Sequence, residues 1–122
     1  MKHLKKKKNL SRKLSHKKSM LSNMSCSLIK YKYIYTTLSK AKELQKFIEP
    51  ILNKIKNNTL HNRRKIFSKL KNKNIIKILF NEILDKIKNR KGGYTRILKI
   101  GYRKGDSSIM SIIQLVDFYK KY

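Results

Sequence analysis

The chain of 122 residues is poor in acidic side chains, cysteine, proline and long apolar runs. It has 6 Asp and Glu against 33 Lys and Arg, which gives a net charge of +27. Its single cysteine, Cys26, excludes an internal disulfide framework and fits a reducing compartment. The longest unbroken apolar runs have three residues, far fewer than the ~20 that span a membrane as a helix. No apolar stretch follows the basic N-terminus, so we expect a cytoplasmic protein without a secretory signal.

Recognisable sets of catalytic, metal-binding or nucleotide-binding residues are also missing. The six acidic residues are scattered, and His3, His16 and His61 have no Cys or carboxylate neighbours at metal-ligand spacing. The four glycines match neither the dinucleotide-binding pattern nor the P-loop pattern. The sequence therefore predicts a protein that is not an enzyme and has no cofactor, no bound metal and no small-molecule substrate.

Basic residues are the most abundant chemical feature of the chain. The first 42 residues contain 13 Lys or Arg and no acidic residue. A solvated surface normally mixes both signs of charge, and a charge of +27 opposes compaction unless a polyanion neutralises it. We therefore expect a polyanionic partner, although lysine–phosphate contacts alone carry no sequence information.

The spacing of apolar residues divides the chain into three parts. Residues 1–14 contain a run of four lysines and isolated leucines without periodicity, which predicts an extended basic arm that is disordered when alone. Residues 15–117 have the periodic pattern of a single globular domain, and residues 118–122 form a C-terminal tail.

Helical spacing predicts four helices and one early strand. The first helix is expected to be capped by Ser15, and residues 33–37 are β-branched or aromatic, which favours a strand. A second helix, capped by Ser39, is expected to be kinked or ended by Pro50. Thr59 is the expected cap of a third, short helix. The fourth helix is predicted over residues 75–89, with Glu82 and Lys86 paired at i,i+4 and Gly92-Gly93 as its stop.

The pattern changes to alternation after the glycine pair. Leu98, Ile100 and Tyr102 alternate with polar residues and are expected to face the core, and a second strand is predicted over residues 109–117. A turn at residues 105–108 makes the two strands a hairpin. The fold class is therefore α+β, a two-layer α/β arrangement of order α-β-α-α-α-β-β. A small three-stranded mixed sheet carries helices on one face and is open on the other.

Arginines next to glycine or aromatic residues suggest contacts beyond simple charge. They occur at Arg63-Arg64, at residues 91–96 and at Tyr102-Arg103. Glycine lets a backbone approach a phosphate, tyrosine can stack on an unpaired base, and arginine can bind phosphate through two N–H groups. For each tyrosine alone, packing in the core is at least as good an explanation.

Several segments resemble the family of bacterial large-subunit ribosomal protein seventeen. The most specific is Gly92-Gly93-Tyr94-Thr95-Arg96-Ile97-Leu98-Lys99, followed by Gly101, Arg103 and Gly105-Asp106. Asn62-Arg63-Arg64 and Glu49-Pro50 agree as well, as do Met1-Lys2-His3, His16 and Asn23-Met24. Two further matching segments are Thr36-Thr37-Leu38 and Lys40-Ala41-Lys42-Glu43-Leu44. The resemblance covers residues 1 to about 117 without a large gap.

The resemblance implies a structural protein of the large ribosomal subunit, with the large ribosomal RNA and neighbouring ribosomal proteins as partners. It implies a position near the polypeptide exit side and the fold derived above. Together with the basic residues, it predicts that RNA is bound by Lys2, His3, Lys5, Lys6, Lys7, Lys8, Arg12, Lys13, His16, Lys17, Asn23, Arg63, Arg64, Lys91, Gly92, Gly93, Tyr94, Thr95, Arg96, Lys99 and Arg103.

The sequence departs from the family pattern at some positions. Lys7 replaces a customary Gly, Ser39 a Pro, and Ser22 and Gln45 stand where Arg is frequent. Two other classes remain as alternatives from charge alone: a DNA-compacting architectural protein and a polybasic protein at a membrane surface. Both lack support, because there is no intercalating Pro wedge or base-reading helix, and the arm has no aromatic face. The lysine-rich composition suggests an AT-rich bacterial genome, with an organelle-encoded copy as the alternative.

Overall fold

The computed structural model of the chain describes residues 3–4 and 8–118. Four helices and three strands make up the described part, and a 3-10 turn, Val116–Phe118, follows the last strand. Helix α4, residues 73–87, contains a π-helical turn, Leu79–Ile83, between two α-helical pieces, Lys73–Ile78 and Leu84–Ile87. The other elements are α1 (Leu14–Tyr31), β1 (Tyr33–Thr37), α2 (Leu38–Lys54), α3 (Leu60–Leu70), β2 (Thr95–Tyr102) and β3 (Ile109–Leu115).

The sheet has the order β1-β3-β2 and is antiparallel throughout, so the prediction of a mixed sheet is wrong. Strands β1 and β2 run in the same direction, but β3 lies between them and pairs with both. The chain between β1 and β2 crosses through three helices, a connection that could equally have produced a parallel pair. Because β3 lies between β1 and β2, these two strands cannot pair with each other. The tertiary structure, and not the connection between them, therefore determines that the sheet is antiparallel.

The helices cover one face of the sheet, which confirms the α+β, two-layer prediction. Leu28 and Ile29 of α1, Leu44 and Ile48 of α2, and Ile113 of β3 are fully buried between the two layers. Burying each such side chain stabilises the fold by about 1.5–3 kcal/mol. The opposite face of the sheet is open, and it carries the exposed Tyr35 of β1 and Leu98 of β2.

Only one of the three predicted helix caps is confirmed. Thr59 caps α3, since its Oγ1 accepts a hydrogen bond from the Asn62 N–H at 3.2 Å. Ser15 and Ser39 instead lie inside α1 and α2, whose N-cap residues are Lys13 and Thr37. Thr37 is also the last residue of β1, so strand and helix join without a loop and no separate capping residue is present.

Helix α2 continues through Pro50 to Lys54. Pro50 removes one intrahelical hydrogen bond, but the next turn buries Ile51, Leu52 and Ile55 completely. Their burial outweighs the ~3 kcal/mol that an interior proline costs. The prediction that Pro50 ends the helix is therefore wrong.

The predicted Glu82–Lys86 pair is also wrong, because Glu82 lies within the π-turn, where side chains four residues apart no longer align. Glu82 instead forms an ion pair with Lys32 at 3.0 Å. Helix α4 ends at Ile87 and not at the glycine pair. There the Arg90 N–H donates to the Ile87 carbonyl at 2.9 Å and closes a tighter turn.

Strand β2 alternates with the predicted period of two, but the set of residues that faces the helices is the opposite of the predicted set. Thr95 is buried and Ile97 is half-buried against the helices, whereas Leu98, Ile100 and Tyr102 are exposed. A bulge between Lys99 and Gly101 then shifts the register. The end of the hairpin extends past the helices, which leaves Tyr102 75% exposed, so its predicted burial is wrong.

Candidate nucleic-acid interface

The predicted RNA-binding residues fall at three places in the fold, and four of them lie outside the described residues. Those four are Lys2, Lys5, Lys6 and Lys7. One group precedes or lies on α1: His3, Lys8, Arg12, Lys13, His16, Lys17 and Asn23. Arg63 and Arg64 lie in the first turns of α3. The remainder, from Lys91 to Arg103, lies before and along β2.

The described part of the arm contains a turn and is not extended throughout. The Arg12 N–H donates to the Asn9 carbonyl at 3.1 Å, and Arg12 Nη1 donates to the Leu10 carbonyl at 2.7 Å. Leu10 and Ser11 have φ angles of 54° and 56°, in the left-handed region. The Arg12 guanidinium is therefore hydrogen-bonded to the backbone of the same turn.

A buried carboxylate of α2 pairs with Lys17 of α1, which also contacts the backbone of the arm. Lys17 Nζ contacts both the Lys8 carbonyl and Glu43 Oε2, the latter at 3.2 Å. Glu43 is 5% exposed, and Lys46 Nζ lies 3.6 Å from its other carboxylate oxygen. Burial alone would raise the pKa of Glu43, but the hydrogen bond from Lys17 and the charges of Lys17 and Lys46 together lower it. The Lys17 ammonium is thus paired with Glu43, whereas the side chains of Lys13 and His16 are exposed.

The two arginines of α3 differ in their surroundings. Arg63 Nε donates to Asn58 Oδ1 at 2.7 Å, and its guanidinium lies 4.6 Å from the centre of the Phe80 ring. This cation–π contact orients Arg63 while its side chain stays at the surface. Arg64 is exposed. The predicted pair is therefore accessible, with one member held in place.

The glycine–tyrosine segment, residues 92–99, combines exposed glycines with two buried residues, Tyr94 and Thr95. Tyr94 is 2% exposed, and its hydroxyl donates to Asn53 Oδ1 at 3.0 Å. Thr95 is buried, and its N–H and hydroxyl both donate to Glu49 Oε1, at 2.9 and 2.6 Å. Of the two explanations that the sequence left open for a tyrosine, packing in the core is the one that the burial of Tyr94 supports. Lys91, Gly92 and Gly93 just before it are exposed.

The remaining hairpin residues divide into one accessible lysine and two engaged arginines. Lys99 is exposed. Arg96 pairs across the strands with Gln114, and the side-chain amide of Gln114 lies within hydrogen-bond distance of the Arg96 guanidinium. Arg103 forms two hydrogen bonds with Asp106 in the turn, and this arginine lowers the pKa of Asp106 while its own pKa is raised. Arg103 therefore carries a partly neutralised charge.

Comparison with known proteins identifies the family. Residues 20–116 match the model of the family described as Ribosomal protein L17. The chain is 49% identical, over all 122 residues, to the large ribosomal subunit protein bL17 of Flavobacterium johnsoniae, and the match covers 75% of that protein. It is 53% identical over 118 residues to the protein of the same name from Porphyromonas gingivalis, and covers 74% of it. The chain belongs to the ribosomal protein L17 family.

Membership of this family confirms the resemblance given by the glycine–tyrosine segment. Members of the L17 family are structural components of the ribosome and are not enzymes. Within residues 3–4 and 8–118, no group of His, Cys, Asp and Glu is arranged to hold a metal ion. No described helix is long and apolar enough to cross a membrane.

The sequence did not reveal that the acidic residues connect separate segments of the fold. Arg90 and Asp117 form a bidentate ion pair at 3.0–3.1 Å, which joins the end of α4 to the turn after β3. Four further acidic residues are also engaged within the fold: Glu43, Glu82 and Asp106 form ion pairs, and Glu49 accepts hydrogen bonds from Tyr94 and Thr95. Their scarcity beside 33 basic residues was the available signal, since any carboxylate in such a chain has many cations within reach.

Proposed function

We propose that this protein binds large-subunit ribosomal RNA through its basic residues and stabilises the folded RNA near the polypeptide exit side. The observation that carries the proposal is a net charge of +27 in a chain of the L17 family. Phosphate groups are the partner that such a charge requires, and neighbouring large-subunit proteins would share the same RNA surface. The protein would thus reside in the ribosome of the bacterial cytoplasm.

The use of the few acidic residues supports this proposal. Six acidic residues can pair with only a small share of 33 basic residues, and five of the six already form ion pairs or hydrogen bonds within the fold. Lys13, Arg64, Lys91 and Lys99 are all exposed, and they lie on different elements. Basic side chains distributed in this way fit contacts with several RNA segments better than a single groove contact.

Phosphate contact by charge would also fit a DNA-compacting protein, the alternative from the sequence. Such proteins often kink DNA by inserting an apolar or proline wedge from a protruding element. Here the only proline, Pro50, lies inside α2, and the hairpin turn consists of polar residues and glycine. RNA within the large subunit is therefore the better-supported partner.

Gradient sedimentation of a bacterial lysate that contains the tagged chain would test the proposal. We expect the chain to sediment with large subunits, and to leave that fraction after treatment with RNase but not with DNase. Sedimentation with the nucleoid and release by DNase would support the DNA-binding alternative instead. The position near the exit side would be tested by cross-linking the chain, in isolated large subunits, to a nascent peptide of defined length.

A further inference from the structure

A groove between α1 and the end of α3 contains none of the predicted RNA-binding residues except Asn23. It has a volume of about 730 Å³, within the usual range of ~300–1,000 Å³ for ligand sites. One wall is the α1 face that carries Ser15, Lys18, Ser19 and Ser22. The opposite wall is formed by the last turn of α3 and the two residues that follow it.

Both walls of this groove carry side chains that can bind an anion, although Phe47 and Leu70 also line it. Lys18 on one wall and Lys69 and Lys71 on the other are exposed, and none of the residues that line the groove is acidic. Ser15 and Ser19 are one helical turn apart on the same wall and present hydroxyl groups. Ammonium and hydroxyl groups are donors, which complement the oxygens of a phosphodiester.

The electrostatic surroundings also point to an anion. The pKa of Lys54, the last residue of α2, is lowered mainly by the charge of Lys69, with contributions from burial and from Lys65. A lysine whose proton is destabilised by other lysines marks a region where positive charge is not compensated within the fold. A bound polyanion would relieve this repulsion.

The groove is formed before any ligand binds. The carbonyl of Leu70 at its floor accepts hydrogen bonds from Ser22 Oγ at 3.2 Å and from Cys26 Sγ at 3.7 Å, which fixes α1 against α3. Lys71 has a left-handed backbone, with φ 56°, and its N–H donates to the Phe67 carbonyl at 2.7 Å. This turn directs the chain along the groove and ends in Asn72, which caps α4.

From these observations we propose that the groove between α1 and α3 binds the phosphodiester backbone of an RNA strand through Lys18, Lys69 and Lys71. This inference rests on the proposed function, since it assigns one segment of the RNA contact. It adds a site that the arm and the hairpin do not include, and it places α1 and α3 on either side of the strand.

The test compares two variants with the same change of charge. In the groove variant Lys18, Lys69 and Lys71 are replaced by Gln; in the control variant the exposed Lys42, Lys77 and Lys88, which lie outside the groove, are replaced by Gln. Affinity for protein-free large-subunit ribosomal RNA is measured at several salt concentrations, and thermal melting confirms that each variant folds.

We expect the groove variant to lose roughly 100-fold in affinity near physiological salt. The slope of log K against log salt should become shallower by about 2–3, since each phosphate contact contributes about 0.7–0.9. The control variant should lose much less. Equal losses in the two variants, with tight binding by the unmodified chain, would overturn the groove but not the proposed function. An unmodified chain without affinity for this RNA would overturn both.

A second pair of variants fills the groove without any change of charge. Ser19→Phe places a ring in the groove, whereas Ser39→Phe adds the same ring at an exposed position of α2 outside it. We expect Ser19→Phe to weaken RNA binding at least tenfold and Ser39→Phe to have little effect. If both variants bind like the unmodified chain, no strand enters the groove and the proposal is overturned.

Discussion

The carboxylate of Glu49 accepts two hydrogen bonds from Thr95, one from its backbone N–H at 2.9 Å and one from its hydroxyl at 2.6 Å. The Tyr94 N–H donates to the second oxygen of Glu49 at 3.2 Å. A single side chain of α2 thereby fixes the first residues of β2. The preceding Gly92 and Gly93 allow many backbone conformations and do not by themselves fix the position of this segment. The hydrogen bonds to Glu49 therefore determine where the hairpin begins relative to the helices.

Replacement of Glu49 by Ala should strongly destabilise the domain. It leaves two backbone N–H groups and a buried hydroxyl without their acceptor, and hydrogen bonds to a charged group contribute about 1.5–3 kcal/mol each. We expect a loss of ~2–4 kcal/mol in the free energy of unfolding, measured by urea denaturation. Glu82→Ala is the control, because the Glu82 side chain is 58% exposed and its pair with Lys32 should contribute under about 1 kcal/mol. Similar losses in both variants would contradict this assignment.

Gly93 and Gly92 should respond differently to the same substitution. Gly93 has φ +62°, whereas Gly92 does not lie in the left-handed region, and no atom crowds the Cβ position of either. Gly93→Val should therefore cost roughly 1–2 kcal/mol of stability from backbone conformation alone. Gly92→Val should cost much less. Thermal denaturation of the two single variants measures the difference, and equal melting temperatures would show that the φ of Gly93 is not required.

The buried Glu43 should make stability depend on acid pH. Its pKa is lower in the folded chain than in the unfolded chain, where it is about 4.5. Its contribution is therefore complete above that value and is lost as the pH falls through the folded pKa. We expect the free energy of unfolding to fall as the pH drops below about 4.5, and Glu43→Gln to flatten this dependence. The same pH profile in both proteins would mean that Glu43 is not the group that titrates.

Deletion of residues 2–13 should separate folding from RNA binding. It removes seven basic residues and a backbone contact to Lys17, while the buried pair of Lys17 and Glu43 remains. We expect an unchanged or slightly higher melting temperature and a loss of RNA affinity by orders of magnitude near physiological salt. If about ten phosphates are contacted, the intact chain should have a salt slope of several units, and the deletion should flatten it.

A full-length chain with Gln at those seven basic positions is the matched control for this deletion. It should bind RNA as weakly as the deleted chain, because phosphate contact and not chain length is the cause. A melting temperature many degrees lower in the deletion would show that the arm packs on the domain and that the boundary near residue 14 is wrong. A slope shallower than about −2 for the intact chain would show that charge is not the main source of affinity.

Several elements could be predicted from the sequence because their signals are local. The β-branched and aromatic residues of β1 and the apolar stripe of α2 each determine the type of their own element. Thr59 was identifiable as a cap because a hydroxyl just before a helix satisfies an N–H of the same turn. Ser15 and Ser39 have the same chemistry, but the actual starts of α1 and α2 depend on the chain that precedes them.

The candidate site could be predicted only in part. Basic residues at the surface, such as Arg64 and Lys99, were predictable because charge is retained wherever the fold leaves a side chain exposed. Leu98 and Ile100 were predicted in the wrong environment, since alternation gives the period of a strand but not which face is covered. Tyr102 is exposed for a different reason, because the end of the hairpin extends past the helices. The groove between α1 and α3 had no signal in the sequence, because Lys18 lies about 50 residues along the chain from Lys69 and Lys71.

The sequence alone determined the charge, the absence of recognisable catalytic motifs, the α+β class and the family, since composition and local motifs carry these properties. The tertiary structure decided the insertion of β3 between β1 and β2, the face of the hairpin that is buried, and the pairing of Glu43, Glu49 and Asp117 with distant residues. These features depend on contacts between segments that are remote in the chain. Such contacts form only when the core brings the segments together, and local patterns do not encode their geometry.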